Sequence, residues 1–168
     1  LLSRRQRQMC IRDRYQAEQL VKAIKAKTGL PLELHTHYTA GLASMTLIKA
    51  VEAGVDIVDT AISPLALGTS QPSTEATVAA LAGSDYDTGL SLDKLEPIRS
   101  HFEKLREKYI KNGKLDPTVL RVDVNALRYQ VPGGMLSNLV SQLKNAGQLE
   151  MLDAVLEEVP RVRRDAGY

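Results

Sequence analysis

Residues 55–61, Val55-Asp56-Ile57-Val58-Asp59-Thr60-Ala61, are apolar on both faces of an extended chain apart from their aspartates, the pattern of a strand covered on both sides. A second extended segment, residues 32–37, is entered through Pro31 and reads Leu32-Glu33-Leu34-His35-Thr36-His37. Helical periodicity surrounds both. Leu20, Val21 and Ile24 make an apolar stripe with Lys22, Lys25 and Lys27 outside it and Gly29 as the expected stop. Residues 42–53 place Met45, Ile48 and Val51 three apart, with Leu47 four before Val51, up to Gly54. Ser73 is an expected N-cap for a third helix through Ala76, Val78 and Leu81, with Glu75 in its first turn. An α-β-α-β-α order with short loops implies right-handed crossovers and a parallel sheet.

After Gly83 the pattern changes to a mainly helical one. Leu95, Ile98, Phe102, Leu105 and Tyr109 mark a long amphipathic helix ending at Asn112-Gly113, with a kink or a later start at Pro97. Residues 116–129 read as a loop with a short strand or helix, and Pro132-Gly133-Gly134 as a sharp turn. Helices are expected over 135–145 and 149–159, the second stopped by Pro160. The division is thus an α/β part over residues 15–84 and a helical part over 85–168.

Residues 1–14 stand apart. They hold five arginines and one aspartate without convincing periodicity; without them 17 basic face 19 acidic side chains, so the formal +2 of the chain becomes −2. The segment resembles translated sequencing-adapter sequence and is read as a non-native or disordered basic leader. Neither aromatic interleaving nor a second basic patch accompanies it, so nucleic acid is not an expected partner. The chain of 168 residues, 43% hydrophobic, suits one domain of ordinary size. It has no apolar run near the ~20 residues of a membrane span. The single cysteine, Cys10, excludes an internal disulfide and fits a reducing cytoplasm.

Alternate residues of a strand share a face, so His35 and His37 project together from the C-terminal end of theirs. In a parallel α/β barrel that end carries the chemistry. Two imidazoles there are a chelating pair for a divalent cation, although a satisfied core pair or a surface pair has the same spacing. Asp56 and Asp59, three apart on a strand, fall on opposite faces and read as structural rather than as an acid–base pair. Glu33 shares the parity of the histidines and, if buried, needs a cationic partner. His101 reads as a solvated surface residue, and Thr69, between Gly68 and Ser70, as a turn residue.

Taken together, several motifs carry a resemblance over residues 15–168. They are Leu34-His35-Thr36-His37, Glu52-Ala53-Gly54-Val55-Asp56-Ile57-Val58-Asp59-Thr60-Ala61 and Thr69-Ser70-Gln71-Pro72. Further along stand Tyr86-Asp87-Thr88-Gly89-Leu90, Gln130-Val131-Pro132-Gly133-Gly134-Met135-Leu136 and Pro160-Arg161-Val162-Arg163. In this order the chain resembles the carboxyltransferase family of the oxaloacetate decarboxylase α subunit, the B subunit of pyruvate carboxylase and the transcarboxylase 5S subunit. Met135 after the paired glycines looks more like the decarboxylase and 5S branch than the large single-chain pyruvate carboxylases.

The resemblance implies the C-terminal part of a (β/α)8 TIM barrel followed by an all-helical funnel, incomplete here because a whole barrel needs ~250 residues. It implies transfer of a carboxyl group between oxaloacetate and biotin with release of pyruvate. His35 and His37 would be ligands of a divalent ion (zinc, cobalt or manganese), and Thr69 the hydroxyl that relays a proton between biotin and the enolate carbon. The family's remaining ligands, an aspartate and a carbamylated lysine, belong to strands upstream of Tyr15. The implied partners are a biotin carboxyl carrier domain, membrane decarboxylase subunits and further copies of the chain. Tyr38 departs from the aspartate or alanine usual after the histidines, which bears on substrate positioning. Two competing readings are another divalent-metal barrel lyase or Claisen-type synthase, and a catalytically silent fragment or helical interaction module.

Overall fold

The computed structural model describes residues 14–129, 131 and 133–167. The basic leader, apart from Arg14, and the Gln130 and Pro132 positions of the later motif lie outside them. The order begins α1 (Arg14–Lys25), β1 (Glu33–Leu34), α2 (Ala43–Glu52), β2 (Ile57–Val58) and α3 (Thr74–Leu81). It continues with α4 (Leu92–Lys111), α5 (Ala126–Tyr129), α6 (Gly133–Asn145) and α7 (Leu152–Asp165). Among the described residues no helix is long and apolar enough to cross a membrane.

The expected alternation is present, and β1 and β2 pair in parallel, Glu33 with Ile57 and Leu34 with Val58. The paired ladder is shorter than the apolar runs suggest. Beyond it the chain stays tied by Asp59 N–H to the Leu34 carbonyl (3.0 Å) and by a parallel bridge between Ala61 and Ser73. Ala17 and Val21 of α1 are buried, and the absence of a side chain beyond Cβ at Ala17 lets α1 approach α2. The core joins Val21, Leu34, Leu47, Ala50, Val51 and Leu81, with Leu32, Val55 and Val58 partly buried against it. Leu47, at 1% exposure, contributes about 1.5–3 kcal/mol by burial. Met45, expected on the buried stripe, is exposed; Ala43, Thr46, Leu47, Ala50 and Val51 form the inner face instead.

Local chemistry sets the other boundaries. Helix α1 stops at Lys25, ahead of Gly29. Lys25 turns to Asp56 (2.5 Å), whose carboxylate also accepts from Leu32 N–H (2.7 Å) and so holds the start of β1 against β2. These contacts keep the Asp56 carboxyl below its ordinary range, the Lys25 hydrogen bond first. Ser73 caps α3 as expected, accepting from Ala76 N–H (3.4 Å).

Two prolines lie inside helices that they were expected to delay or end. Pro97 falls within α4, which begins at Leu92 without a later start. Pro160 does not stop the last helix but sits within α7, which continues to Asp165 and carries ion pairs from Arg161 to Glu158 and Asp165. Proline removes a single hydrogen bond and clashes with one carbonyl, so packing and ion pairs on the following turn can carry the helix past it. Gly133 and Gly134 belong to the first turn of α6 rather than to a free turn. The ambiguous stretch resolves into a 3-10 turn, Pro117–Leu120, and the single helical turn α5.

Candidate functional site

The C-terminal ends of β1 and β2 bring together the predicted histidines and the loop of residues 67–71. The register that pairs Leu34 with Val58 places His35 beside Asp59 on the neighbouring strand. His35 Nδ1 lies 2.6 Å from Asp59 Oδ2. His37 Nδ1 lies 2.6 Å from the carbonyl oxygen of Thr69. That oxygen only accepts, so the proton in the contact belongs to His37 Nδ1, and in the neutral ring Nε2 is the nitrogen with the lone pair. An ionised Asp59 imposes the same tautomer on His35. The two Nε2 atoms then face each other across 3.4 Å, with the rings edge to face at 82°. His35 is exposed and His37 half-buried, so the pair opens outward from the sheet end.

Thr69 sits on a tightly specified loop. Leu67 adopts φ +68°, which an L side chain resists, and Gly68 follows at φ +53°. Hydrogen bonds over-determine the turn: Leu67 N–H to Gln71 O (2.9 Å), Ser70 N–H to Leu67 O (2.8 Å) and Tyr38 N–H to Ser70 O (2.7 Å). The segment after α4 closes over this loop. Thr69 N–H donates to the carbonyl of Val119 (3.0 Å), and Asp123 N–H to that of Thr39 (2.8 Å). A Cβ on Gly68 would collide with the Val119 oxygen, and one on Gly41 would stand 2.7 Å from Val122 Cγ1. Asp116 anchors the segment by accepting from Thr118 N–H (2.9 Å) and from Lys144 of α6 (3.2 Å). Its pKa is lowered, first by the Thr118 contact. Thr39 is buried, and its hydroxyl has no hydrogen-bond partner among the described residues.

The structure thus joins His35, His37 and Thr69, which the sequence singled out, and brings to them Asp59, which the sequence read as structural. Glu33 is exposed, and His101 is an exposed residue of α4 lying edge-on to Phe102. Among the described residues no group of three or more His, Cys, Asp or Glu is assembled to hold a metal ion. The groove lined by Tyr15, Glu18, Ser44, Met45, Ile48 and Lys49, about 540 Å³, contains none of these residues.

A parallel β/α segment that carries its polar cluster at the strand ends, followed by helices, superposes on a known class. The carboxyl transferase domain of Rhizobium etli pyruvate carboxylase, solved with pyruvate, aligns with a TM-score of 0.77 and 33% identity, over 88% of this chain and 24% of that one. The fold is therefore that of part of a carboxyltransferase domain. In sequence, the pyruvate carboxylase B subunit of Methanocaldococcus jannaschii is 53% identical over 166 residues, 95% of this chain and 29% of that protein. The methylmalonyl-CoA carboxyltransferase 5S subunit of Propionibacterium freudenreichii subsp. shermanii is 45% identical over 154 residues, 90% of this chain and 30% of that protein. Residues 126–168 match the family described as Conserved carboxylase domain. The chain belongs to the carboxyltransferase family of the pyruvate carboxylase B subunit and the 5S subunit, and spans less than a third of those two relatives' length.

Proposed function

We propose that this chain forms part of a carboxyltransferase centre that moves a carboxyl group between oxaloacetate and biotin borne on a carrier domain, with pyruvate as the decarboxylated partner. The observation that carries the reading is the 3.4 Å approach of the two Nε2 atoms, with Thr69 bonded to the second ring.

The donor set fits a divalent cation. Two nitrogens held ~2.0–2.1 Å from one ion lie about 2.9 Å apart at a right angle and about 3.4 Å apart at the tetrahedral angle. Both outer nitrogens already have acceptors, as metal-binding imidazoles do. His35 and His37 would hold the ion, and the remaining ligands would come from other parts of the complete protein. Bound there, a divalent cation supplies Lewis-acid stabilisation of negative charge on a keto oxygen. The chain's own chemistry lies in Thr69. A hydroxyl both donates and accepts, so it can take a proton from one side and give its own to a carbanionic carbon on the other, ending unchanged. The strained loop, the Thr69 N–H bond to Val119 and the Thr69 carbonyl's bond to His37 fix the backbone that would carry this hydroxyl.

The direction of transfer, the carrier domain and self-association belong to the same proposal. A barrel lyase of different chemistry is disfavoured by the 53% identity with the pyruvate carboxylase B subunit. The test is pyruvate release from oxaloacetate by the complete gene product, with and without free biotin. Release that depends on biotin and disappears in Thr69→Ala is expected; release indifferent to both would overturn the reading.

A further inference from the structure

The two histidines are held differently, and the difference points to a residue outside the proposed ligand pair. His37 leans on a backbone carbonyl, which is neutral and survives any side-chain change. His35 leans on the carboxylate of Asp59, at 2.6 Å. Asp59 does not get there by chance of rotamer. The β1–β2 register sets it directly beside His35, and its own N–H is bonded to Leu34 O (3.0 Å), so backbone and side chain are fixed by the same pair of strands. Asp56, on the opposite face, takes the structural work of tying Lys25 and Leu32. The carboxylate of Asp59 is thereby left to the imidazole.

We propose that Asp59 is a positioning residue that locks His35 as an Nε2 donor and strengthens that donor with its negative charge. The proposal rests on the metal-binding reading of the pair. A carboxylate behind an imidazole fixes ring orientation and tautomer and raises ligand basicity, and losing such a partner typically costs ~10–100-fold in metal affinity. Without Asp59 the His35 ring is free to rotate about χ2 or to place its proton on Nε2, and either removes the lone pair that faces His37.

The test uses the complete gene product, with cobalt(II) as probe, in three forms: unaltered, Asp59→Ala and Asp59→Asn. Affinity is measured by competition with a chromogenic chelator, and the cobalt d–d absorption bands report ligand geometry. The unaltered protein is expected to bind one equivalent with a defined spectrum. Asp59→Ala is expected to bind ~10–100-fold more weakly with altered bands. Asp59→Asn keeps a neutral acceptor and should fall between the two. Unchanged affinity and spectrum in both variants, with the unaltered protein loaded, would overturn the role of Asp59 while leaving the metal reading intact. Absence of cobalt binding by the unaltered protein would instead overturn the metal reading, and this inference with it. Failure of Asp59→Asn to fold would overturn it in favour of a purely structural aspartate.

Discussion

His37 donates through Nδ1 to the backbone carbonyl of Thr69 across 2.6 Å, so the proposed ligand and the proposed proton relay form one mechanical unit. Because the link uses Thr69's backbone, side-chain replacement leaves it in place. Thr69→Ala is therefore expected to cost ~10²–10⁴ in carboxyl transfer while metal content stays near that of the parent. Thr69→Ser should recover part of the rate. Turnover assays beside elemental analysis check both, and near-normal turnover in the alanine variant would reduce Thr69 to a loop residue.

Replacing His35 and His37 together with alanine is expected to empty the site and abolish transfer while the fold persists. Both rings are at least partly exposed and neither belongs to the core cluster. Stoichiometric metal retained by the double variant would contradict their assignment.

Gly68 is expected to be the least replaceable glycine of the described chain. An alanine there collides with backbone atoms of Val119 and Leu120 and keeps φ +53°, whereas Gly113, at φ +70°, has open space around it. Gly113→Ala should cost only local backbone strain, about 1–2 kcal/mol. Gly68→Ala should add a packing cost of ~1–3 kcal/mol and displace Thr69. Thermal midpoints and transfer rates of the two variants side by side provide the measurement; equal loss in both would contradict the ranking.

Glu75 gives a pH signature. Partial burial raises its pKa, but hydrogen bonds from its own backbone N–H, from the Ser63 hydroxyl and N–H and from Ser73 outweigh that and leave it below the ordinary 4.5. A carboxyl depressed on folding stabilises the fold fully above its unfolded value, and loses that contribution as pH falls through the folded one. Glu75→Gln should therefore be less stable than the parent at pH 7, with the gap closing below about pH 4.5. Denaturant midpoints from about pH 3 to 7 would show it, and a gap independent of pH would refute it.

Much of the α/β part was legible because periodicity and capping are local. The Ser73 cap, the helices around β1 and the shared face of His35 and His37 all follow from residues close in sequence. The place of Asp59 beside His35 was not legible. The two are 24 residues apart, and alternation tells which face a strand residue occupies but not which residue of the next strand lies beside it. The strap formed by residues 117–123 was missed for the same reason, since its bonds to Thr69 and Thr39 are backbone contacts that leave no mark in residue type. Pro97 did not delay α4 and Pro160 did not stop α7, because one proline costs a helix a single hydrogen bond and a local clash that the rest of the helix can outweigh.

Expressed alone, residues 15–168 are expected to aggregate or remain molten and to show no oxaloacetate decarboxylase activity. The described residues pair two strands into a sheet with open edges, leave Leu30 and Ile57 more than half exposed, and assemble no group of three or more metal-ligand side chains. A single cooperative thermal transition with turnover would contradict this.

The Thr69 carbonyl has an odd standing for anyone mapping this site by mutation. Every amino acid presents the same C=O, so a saturation scan at position 69 reports only on the hydroxyl and stays blind to half of what holds His37. An amide-to-ester exchange between Thr69 and Ser70 would weaken that oxygen as an acceptor, at the cost of the Ser70 N–H bond to Leu67. Part of this centre is written in the main chain, where substitution cannot reach it.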